Sequence, residues 1–305
     1  MCGIVGHVGP LTPSERSLTV LMDGLGRLEY RGYDSAGVAL AGPGGLDVVK
    51  AAGKLDNLRE ALAAAPPPPA VSGIGHTRWA THGGPTTVNA HPHRAGSIAV
   101  VHNGIIENFR PLRAEVEAAG RELVSATDTE VVAQLLDLDF TARLARAAAA
   151  DGAADTAALL VESMRAVTAR LEGTFALLVV TPLAPGVIVA ARRSSPLVIG
   201  LGEGENFLGS DVAAFVAFTS RAAEVDDDQV LALSADAVRV WDKDGNAVEP
   251  RTWEVTWDAS AAVKGGYATF MDKEIHEQPA AVADTLRGRV DGAGAIVLDE
   301  MRIEP

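Results

Sequence analysis

The sequence contains a single cysteine, Cys2, in 305 residues. One cysteine excludes an internal disulfide and a cysteine-rich zinc site, so a cytoplasmic location is expected. The start has no cationic leader followed by an apolar stretch, and the most apolar run, TFALLVVTPLAPGVIVAA, is broken by Pro182, Pro185 and Gly186. That run predicts two buried strands joined by a turn and argues against a membrane span.

Basic residues are scarce: 26 Lys and Arg against 40 Asp and Glu give a formal net charge of -14. Such a chain repels phosphate backbones and anionic lipid headgroups, so neither nucleic acid nor a membrane is an expected partner. A local basic pocket for a small anion stays compatible with this charge. The 48% of hydrophobic residues supply material for a sizeable core and an extra segment.

Strands are predicted on both sides of a helical middle region. CGIVGHVG predicts a buried strand with Cys2 at its tip, TPSE predicts a helix capped by Thr12, and NLREALAAA predicts a short helix. TDTE predicts a helix capped by Thr127, followed by two Ala/Arg-rich helices that end at Gly173 and then by more strands. This order predicts a layered α+β architecture with antiparallel sheets, because the alternation is too irregular for a doubly wound parallel sheet.

Cys2 directly follows Met1, so removal of Met1 would make it the amino-terminal residue. A thiol with a pKa near ~8.5 is only a few per cent thiolate at neutral pH, and a free α-amine that titrates near ~7.7–8 can take its proton. One residue would then supply both nucleophile and general base. The alternative, from position alone, is a buried and unreactive thiol.

HNGIIEN follows the predicted strand IAVV and places Asn103 beside Gly104. A side-chain amide next to a glycine N–H offers two donors for a developing oxyanion. The alternative for this pair is an ordinary Asn-Gly turn.

HTRWATHGG offers a candidate loop for binding a small carboxylate. Arg78 has a planar fork that matches a carboxylate, Trp79 could shield a site from water, and the two following glycines could hinge a lid. A surface loop with a buried tryptophan is an equally good interpretation of this stretch alone. Asp128, at the start of the TDTE helix, could pair with a ligand ammonium or merely favour the helix dipole.

Five histidines fall between His76 and His102, which raises the question of a metal site. They show no HExxH spacing, Cys partner or acidic pair, so no metal is predicted. His91 is expected to pack or to form hydrogen bonds.

Six stretches occur in a fixed order: MCGIVG, LEYRGYDSAG, HTRWATHG, NAHPH, HNGIIEN and TDTE. Together they resemble the glutaminase domain of the glutamine–fructose-6-phosphate aminotransferase (isomerising) family, a class II glutamine amidotransferase and amino-terminal-nucleophile hydrolase. The resemblance implies a four-layer αββα sandwich with two antiparallel sheets. It also implies a glutaminase domain over residues 2–245, with a linker and the start of a sugar-isomerase half over 246–305.

The same resemblance implies that Cys2 attacks the side-chain amide of L-glutamine, giving a thioester and ammonia, and that water then releases glutamate. The residues implied to be catalytic are Cys2, Asn103 and Gly104 at the oxyanion, and Arg31 and Gly32 beside the amino-terminal residue. Those implied to bind glutamine are Arg78 at the α-carboxylate, Asp128 at the α-ammonium, and Trp79, Thr81 and His82 in a closing loop. No cofactor is implied.

In the complete enzymes of this family, which are expected to be homodimers, the ammonia would convert fructose 6-phosphate to glucosamine 6-phosphate. The sugar-isomerase half is expected to lie outside these 305 residues, so this chain is expected to hydrolyse glutamine without making the amino sugar.

Two alternatives stay open. One is the glutaminase half of amidophosphoribosyltransferase, which shares the terminal cysteine and an RGxDSAG turn, although EYRGYDSAG, HTRWATHG and NAHPH resemble the sugar-aminating branch. The other is a non-catalytic or metal-binding module that keeps Met1.

Overall fold

The computed structural model describes residues 2–81, 83–150, 155–256, 267 and 270–286. In chain order the strands are β1 (Gly3–Val8), β2 (Ser35–Gly42), β3 (Gly45–Ala52), β4 (Ser72–Arg78), β5 (His93–Ala95), β6 (Ile98–Ile106), β7 (Gly173–Val180), β8 (Ile188–Arg193), β9 (Val198–Leu201), β10 (Asn206–Gly209), β11 (Arg221–Glu224), β12 (Gln229–Leu233), β13 (Val238–Trp241), β14 (Ala247–Val248) and β15 (Thr252–Glu254). The helices are α1 (Arg16–Arg27), α2 (Leu55–Ala64), α3 (Phe109–Ala118), α4 (Asp128–Ala149), α5 (Thr156–Thr168) and α6 (Phe270–Leu286).

Within the described residues these strands form two sheets. The first has eight strands in the order β15-β11-β9-β10-β1-β4-β2-β3, and the second has seven in the order β14-β13-β12-β8-β7-β6-β5. Neighbouring strands pair antiparallel in both sheets. In the first sheet, β1 lies between β4 and β10, so the strand that follows Cys2 is held on both sides.

The two sheets pack face to face and helices cover their outer faces. The core between the sheets includes Ile4 and Leu208 from the first sheet and Leu178 from the second. A second core, which includes Phe140 of α4 and Met164 of α5, lies between the second sheet and its helices. Helices α1 and α2 contact the first sheet. The predicted α+β class and four-layer sandwich are therefore confirmed.

The chain divides into two compact units, Met1–Ala259 and Ser260–Pro305. The predicted boundary after residue 245 falls before β14 and β15, which pair with strands of the first unit. The second unit contains α6, which has Pro279 within it. None of the helices in the described residues combines the length and the apolar character that crossing a membrane requires.

The start of α1 differs from the prediction at Thr12. The helix begins at Arg16, and Glu15 occupies the N-cap position without a side-chain cap. Ser14 instead pairs with Ala70, with N–H···O distances of 3.1 Å in both directions. These hydrogen bonds hold Ser14 in an isolated β-bridge directly before the helix, which local capping signals could not reveal. The apolar face itself is as predicted, since Leu21 and Leu25 are fully buried.

The TDTE segment and the first Ala/Arg-rich segment form one continuous 22-residue helix, α4, rather than two helices. Thr127 is its N-cap as predicted, and its hydroxyl accepts a hydrogen bond from the Glu130 N–H. The Glu130 carboxylate accepts from the N–H groups of Val124 and Ser125 at 2.9 and 2.6 Å. Glu130 therefore ties down the loop before the helix instead of closing a capping box.

Four buried histidines on or beside β4, β5 and β6 lie close together: His76, His91, His93 and His102. The ring of His76 stacks on that of His91 with 4.3 Å between centroids, and the rings of His91 and His93 meet edge to face at 4.7 Å. Nε2 of His91 and Nδ1 of His102 each lie 2.9 Å from the hydroxyl of Thr129. The group is therefore a packed, hydrogen-bonded cluster.

Burial is the main cause of the pKa shifts of these imidazoles. It lowers the pKa of His76 from 6.5 to about 3 and holds those of His91 and His93 well below 6.5. Burial also lowers the pKa of His102, against the opposing effect of Asp128. The cluster is therefore neutral at neutral pH.

Truncation of the core between the sheets should destabilise the chain strongly. Leu178 is fully buried there, so Leu178→Ala should lower the free energy of unfolding by about 2–5 kcal/mol through lost burial and a residual cavity. The matched control is Leu11→Ala, at a side chain that is 70% exposed, and its effect should stay within about 0.5 kcal/mol. Urea unfolding of both variants measures this, and equal losses would contradict the assigned core.

The neutral histidines should make stability depend on pH. Below pH 6.5 the unfolded chain takes up protons that the folded histidines do not, so the free energy of unfolding should fall as the pH drops. Each such histidine contributes a slope of about 0.7 kcal/mol per pH unit at pH 6.5, and this slope approaches about 1.4 near pH 5. His93→Phe should therefore make the slope shallower by about that amount. Urea unfolding between about pH 7 and pH 5 measures the slope.

The control for this experiment is Ser163→Ala, which removes a buried polar group that cannot titrate in this range. It should change the stability without changing the slope. A slope in His93→Phe that equals the wild-type slope would show that His93 is protonated in the fold.

Candidate active site

Cys2 lies directly before β1, and the residue after β4 holds its thiol. The N–H of Trp79 donates to Sγ of Cys2 at 3.2 Å, and Sγ lies 3.6 Å from the carbonyl oxygen of Trp79. Burial raises the pKa of the Cys2 thiol, while the hydrogen bond from Trp79 acts in the opposite direction. The sulfur is therefore protonated at neutral pH and needs a base before it can act as a nucleophile.

Asn103 and Gly104 lie on β6 in the second sheet, not in a tight turn. Nδ2 of Asn103 donates to the main-chain oxygen of Cys2 at 3.0 Å, so the predicted donor reaches the predicted nucleophile across the two sheets. Gly104 has φ of 133°, and a Cβ there would clash with the main-chain oxygen of Thr174. Only glycine fits this position.

A cavity of about 340 Å³ opens beside Cys2. Its wall includes four residues predicted to be catalytic, which are Cys2, Arg31, Asn103 and Gly104. It also includes four residues predicted to bind the ligand, which are Arg78, Trp79, Thr81 and Asp128. His82 lies outside the described residues. The volume suits a ligand of amino-acid size, with a buried cation and a buried anion in the wall.

Arg78 ends β4, and its side chain is almost fully buried. Its guanidinium donates to the main-chain oxygens of Gly83 and Gly84 at 3.0 and 3.1 Å, which holds the predicted loop against the site. Burial lowers the pKa of Arg78, and ionised Cys2 acts in the opposite direction in the alkaline range where Arg78 titrates. Trp79 is 46% exposed and packs edge to face on Tyr33, so this loop does not simply bury a tryptophan.

Asp128 is the first residue of α4 and is buried. Its Oδ2 accepts a hydrogen bond from the N–H of Ile106 at 2.8 Å, so the carboxylate is held against the end of β6. The same oxygen lies 3.9 Å from Nδ1 of His102.

Arg31 and Gly32 support the site from the turn before β2. Arg31 donates to the main-chain oxygen of Ser210 at 3.1 Å and pairs with Asp211 at 3.2 Å. A Cβ on Gly32 would lie 2.7 Å from the carbonyl carbon of Arg78, so this turn packs directly on the end of β4. Glycine permits that close approach.

Sequence reasoning missed several residues of the site. Asp34, from the same turn, accepts the N–H of Ala80 at 2.7 Å and so anchors the loop after β4. Asp34 lies in RGYDSAG beside the predicted Arg31 and Gly32, so this stretch could have identified it as a site residue. Ser194 also lines the cavity, in a left-handed conformation with φ of 61°. It comes from the distant end of β8, and no motif marked it.

Within the described part of the chain, no group of three or more His, Cys, Asp or Glu side chains is arranged to hold a metal ion. The histidine cluster instead directs ring nitrogens toward hydroxyl and carbonyl oxygens.

The sequence is similar to those of known glutamine amidotransferases. The profile of the glutamine amidotransferase domain matches residues 88–217. A glutamine–fructose-6-phosphate aminotransferase (isomerizing) of Streptomyces coelicolor is 59% identical over 307 residues, covering 100% of this chain and 47% of that protein. One from Corynebacterium diphtheriae is 52% identical over 309 residues, covering 100% and 48%. The chain thus spans about half the length of these relatives.

Among solved structures, the glutamine phosphoribosylpyrophosphate amidotransferase from B. subtilis superposes with a TM-score of 0.63 at 24% identity. The match covers 81% of this chain and 50% of that chain, and at this identity it concerns the fold alone. The chain thus contains a glutamine amidotransferase domain and is similar along its whole length to about half of each glutamine–fructose-6-phosphate aminotransferase (isomerizing).

Proposed function

We propose that this chain binds L-glutamine in the cavity beside Cys2 and hydrolyses its side-chain amide to glutamate and ammonia. One observation carries the proposal: the thiol of Cys2, the carboxamide of Asn103, a buried cation and a buried anion all face one cavity. A zwitterionic amino acid needs this combination of one cation, one anion and a reactive group. Removal of Met1 is part of the proposal, because only then does Cys2 carry a free α-amine.

The α-amine of Cys2 takes the thiol proton as Sγ attacks the amide carbon of glutamine. The raised pKa of the thiol makes that base necessary. Nδ2 of Asn103 and the N–H of Gly104 stabilise the oxyanion. The C–N bond then breaks, the proton passes from the α-amine to the leaving nitrogen, and ammonia departs from a thioester. Water attacks the thioester, returns a proton to sulfur and releases glutamate.

Arg78 binds the α-carboxylate of glutamine and Asp128 its α-ammonium, since both charges lie in the cavity wall. Trp79, Thr81 and His82 belong to the loop that covers the bound ligand, which Arg78 and Asp34 already hold at its two ends. Arg31 and Gly32 position the amino-terminal residue. No cofactor takes part in this proposal.

The relatives are named as aminotransferases of fructose 6-phosphate. We propose that the ammonia serves the conversion of fructose 6-phosphate to glucosamine 6-phosphate in the complete protein. We propose that residues 2–245 are the glutaminase domain and that residues 246–305 lead into a sugar-isomerase half. A homodimer of the whole protein and a cytoplasmic location belong to the same proposal. Amidophosphoribosyltransferase is a weaker alternative, because the likeness there rests on 24% identity.

Removal of the sulfur should abolish the activity. The wild-type chain lacking Met1 should release glutamate from glutamine, and Cys2→Ala should release none while keeping its circular dichroism spectrum. A thiol-reactive glutamine analogue should label Cys2, as located by mass spectrometry. Glutamate release by Cys2→Ala would contradict the proposed nucleophile, and stoichiometric metal without hydrolysis would favour a metal-binding module.

Arg78→Lys should raise KM for glutamine by about tenfold or more, because an ammonium cannot make the bidentate contact with a carboxylate. Steady-state kinetics measure this. The matched control is Arg59→Lys, at a side chain that is 51% exposed and pairs only with Asp56 among the described residues. That variant should keep the wild-type KM. An unchanged KM in Arg78→Lys would remove Arg78 from the carboxylate site.

A further inference from the structure

His76 reaches from the first sheet to the second just behind Asn103. It lies on β4 and is completely buried. Its Nε2 is 3.0 Å from two oxygens of β6, the main-chain oxygen of His102 and Oδ1 of Asn103. The proposed mechanism gives His76 no role.

The two oxygens determine which ring nitrogen of His76 carries the proton. A main-chain carbonyl only accepts hydrogen bonds, so Nε2 must be the donor. Burial lowers the pKa of His76 to about 3, so the ring is neutral and carries one proton. Nδ1 is then unprotonated, which agrees with the lack of any hydrogen-bond acceptor for a proton there among the described residues.

That tautomer also determines the orientation of the Asn103 side chain. The oxygen and nitrogen of a carboxamide exchange places on a half-turn, and their neighbours decide between the two orientations. A donor at His76 requires Oδ1 on that side, which leaves Nδ2 facing Cys2, where it donates to the main-chain oxygen at 3.0 Å. The reversed amide would place donor against donor at His76 and oxygen against oxygen at Cys2.

We infer that His76 is a positioning residue: its Nε2–H holds the Asn103 carboxamide with the NH₂ group toward Cys2 and the cavity. The inference rests on the proposed function, because the oriented NH₂ group is the proposed oxyanion donor. His76 itself touches no reacting atom and acts only through Asn103. Loss of the donor frees the carboxamide to turn, and the oxyanion then loses one of its two hydrogen bonds.

Nuclear magnetic resonance of the full chain tests the orientation without requiring activity. With ¹⁵N-labelled histidine, His76 should show a protonated Nε2 and an unprotonated Nδ1 at neutral pH. The side-chain NH₂ signals of Asn103, assigned by their loss in Asn103→Ala, should shift in His76→Phe. A proton on Nδ1 of His76, or unshifted Asn103 signals, would overturn the inference whatever the chain catalyses.

Kinetics test the consequence. His76→Phe should lower kcat for glutamine hydrolysis by about 100-fold, the effect of losing one oxyanion donor, with little change in KM. His76→Gln should stay within about tenfold of wild type, because the Gln side-chain nitrogen can replace Nε2 as a donor. His76→Asn, whose amide is too short to reach that place, should behave like His76→Phe. If His76→Phe fails to fold, the comparison of His76→Gln with His76→Asn still tests the inference.

A double-mutant cycle separates positioning from a general structural effect. In the Asn103→Ala background, His76→Phe should lower kcat by less than about threefold, because the group it positions is gone. His93→Phe, at another buried histidine of the cluster, should change kcat by less than about threefold in either background. Equal losses of kcat from His76→Phe with and without Asn103 would overturn the inference. A wild-type chain that releases no glutamate would instead defeat the proposed function, and the resonance experiment would still decide the orientation.

Discussion

The carboxamide of Asn103 joins the two sheets at the site. Its nitrogen donates to the main-chain oxygen of Cys2, which directly precedes β1 of the first sheet. Its oxygen accepts from His76 on β4 of the same sheet, whereas Asn103 itself lies on β6 of the second sheet. The distance between the proposed nucleophile and its proposed oxyanion donor therefore depends on how the sheets pack. The apolar core between them maintains that distance, so the stability of the fold and the geometry of the site have the same physical origin.

The charges of the site are buried but not isolated. Arg78 donates to the carbonyl oxygens of the loop after β4, and Asp128 accepts an N–H at the end of β6. Such contacts reduce the cost of holding an ion away from water. The histidines beside these charges are neutral, so they add no charge that would compete for an amino-acid ligand. The net charge of -14 is thus compatible with a cavity that holds a buried cation.

Because the pKa of the Cys2 thiol is raised, the proposed attack by sulfur depends on a base, and the proposed base is the α-amine at the amino terminus. Neither the main-chain N–H nor the carbonyl group that contacts the sulfur can act as the base that takes its proton. The proposed α-amine supplies one without requiring another side chain in a crowded wall.

Features that depend on neighbouring residues were predictable from the sequence. The strand behind Cys2, the apolar face of α1, helix α2 and the cap at Thr127 were predicted from local patterns, and the ordered motifs predicted eight of the residues that line the cavity. The start of α1 was wrong because Ser14 pairs with Ala70, far along the chain.

The sequence by itself determined the layered α+β class and which reactive side chains are available, because periodicity and residue chemistry are local properties. Only the tertiary structure decided that His76 faces Asn103 and that Ser194 enters the cavity wall, because these contacts join strands that are distant in the chain. It also decided the protonation of the histidines, since burial, which no local pattern encodes, is the main cause of their pKa shifts.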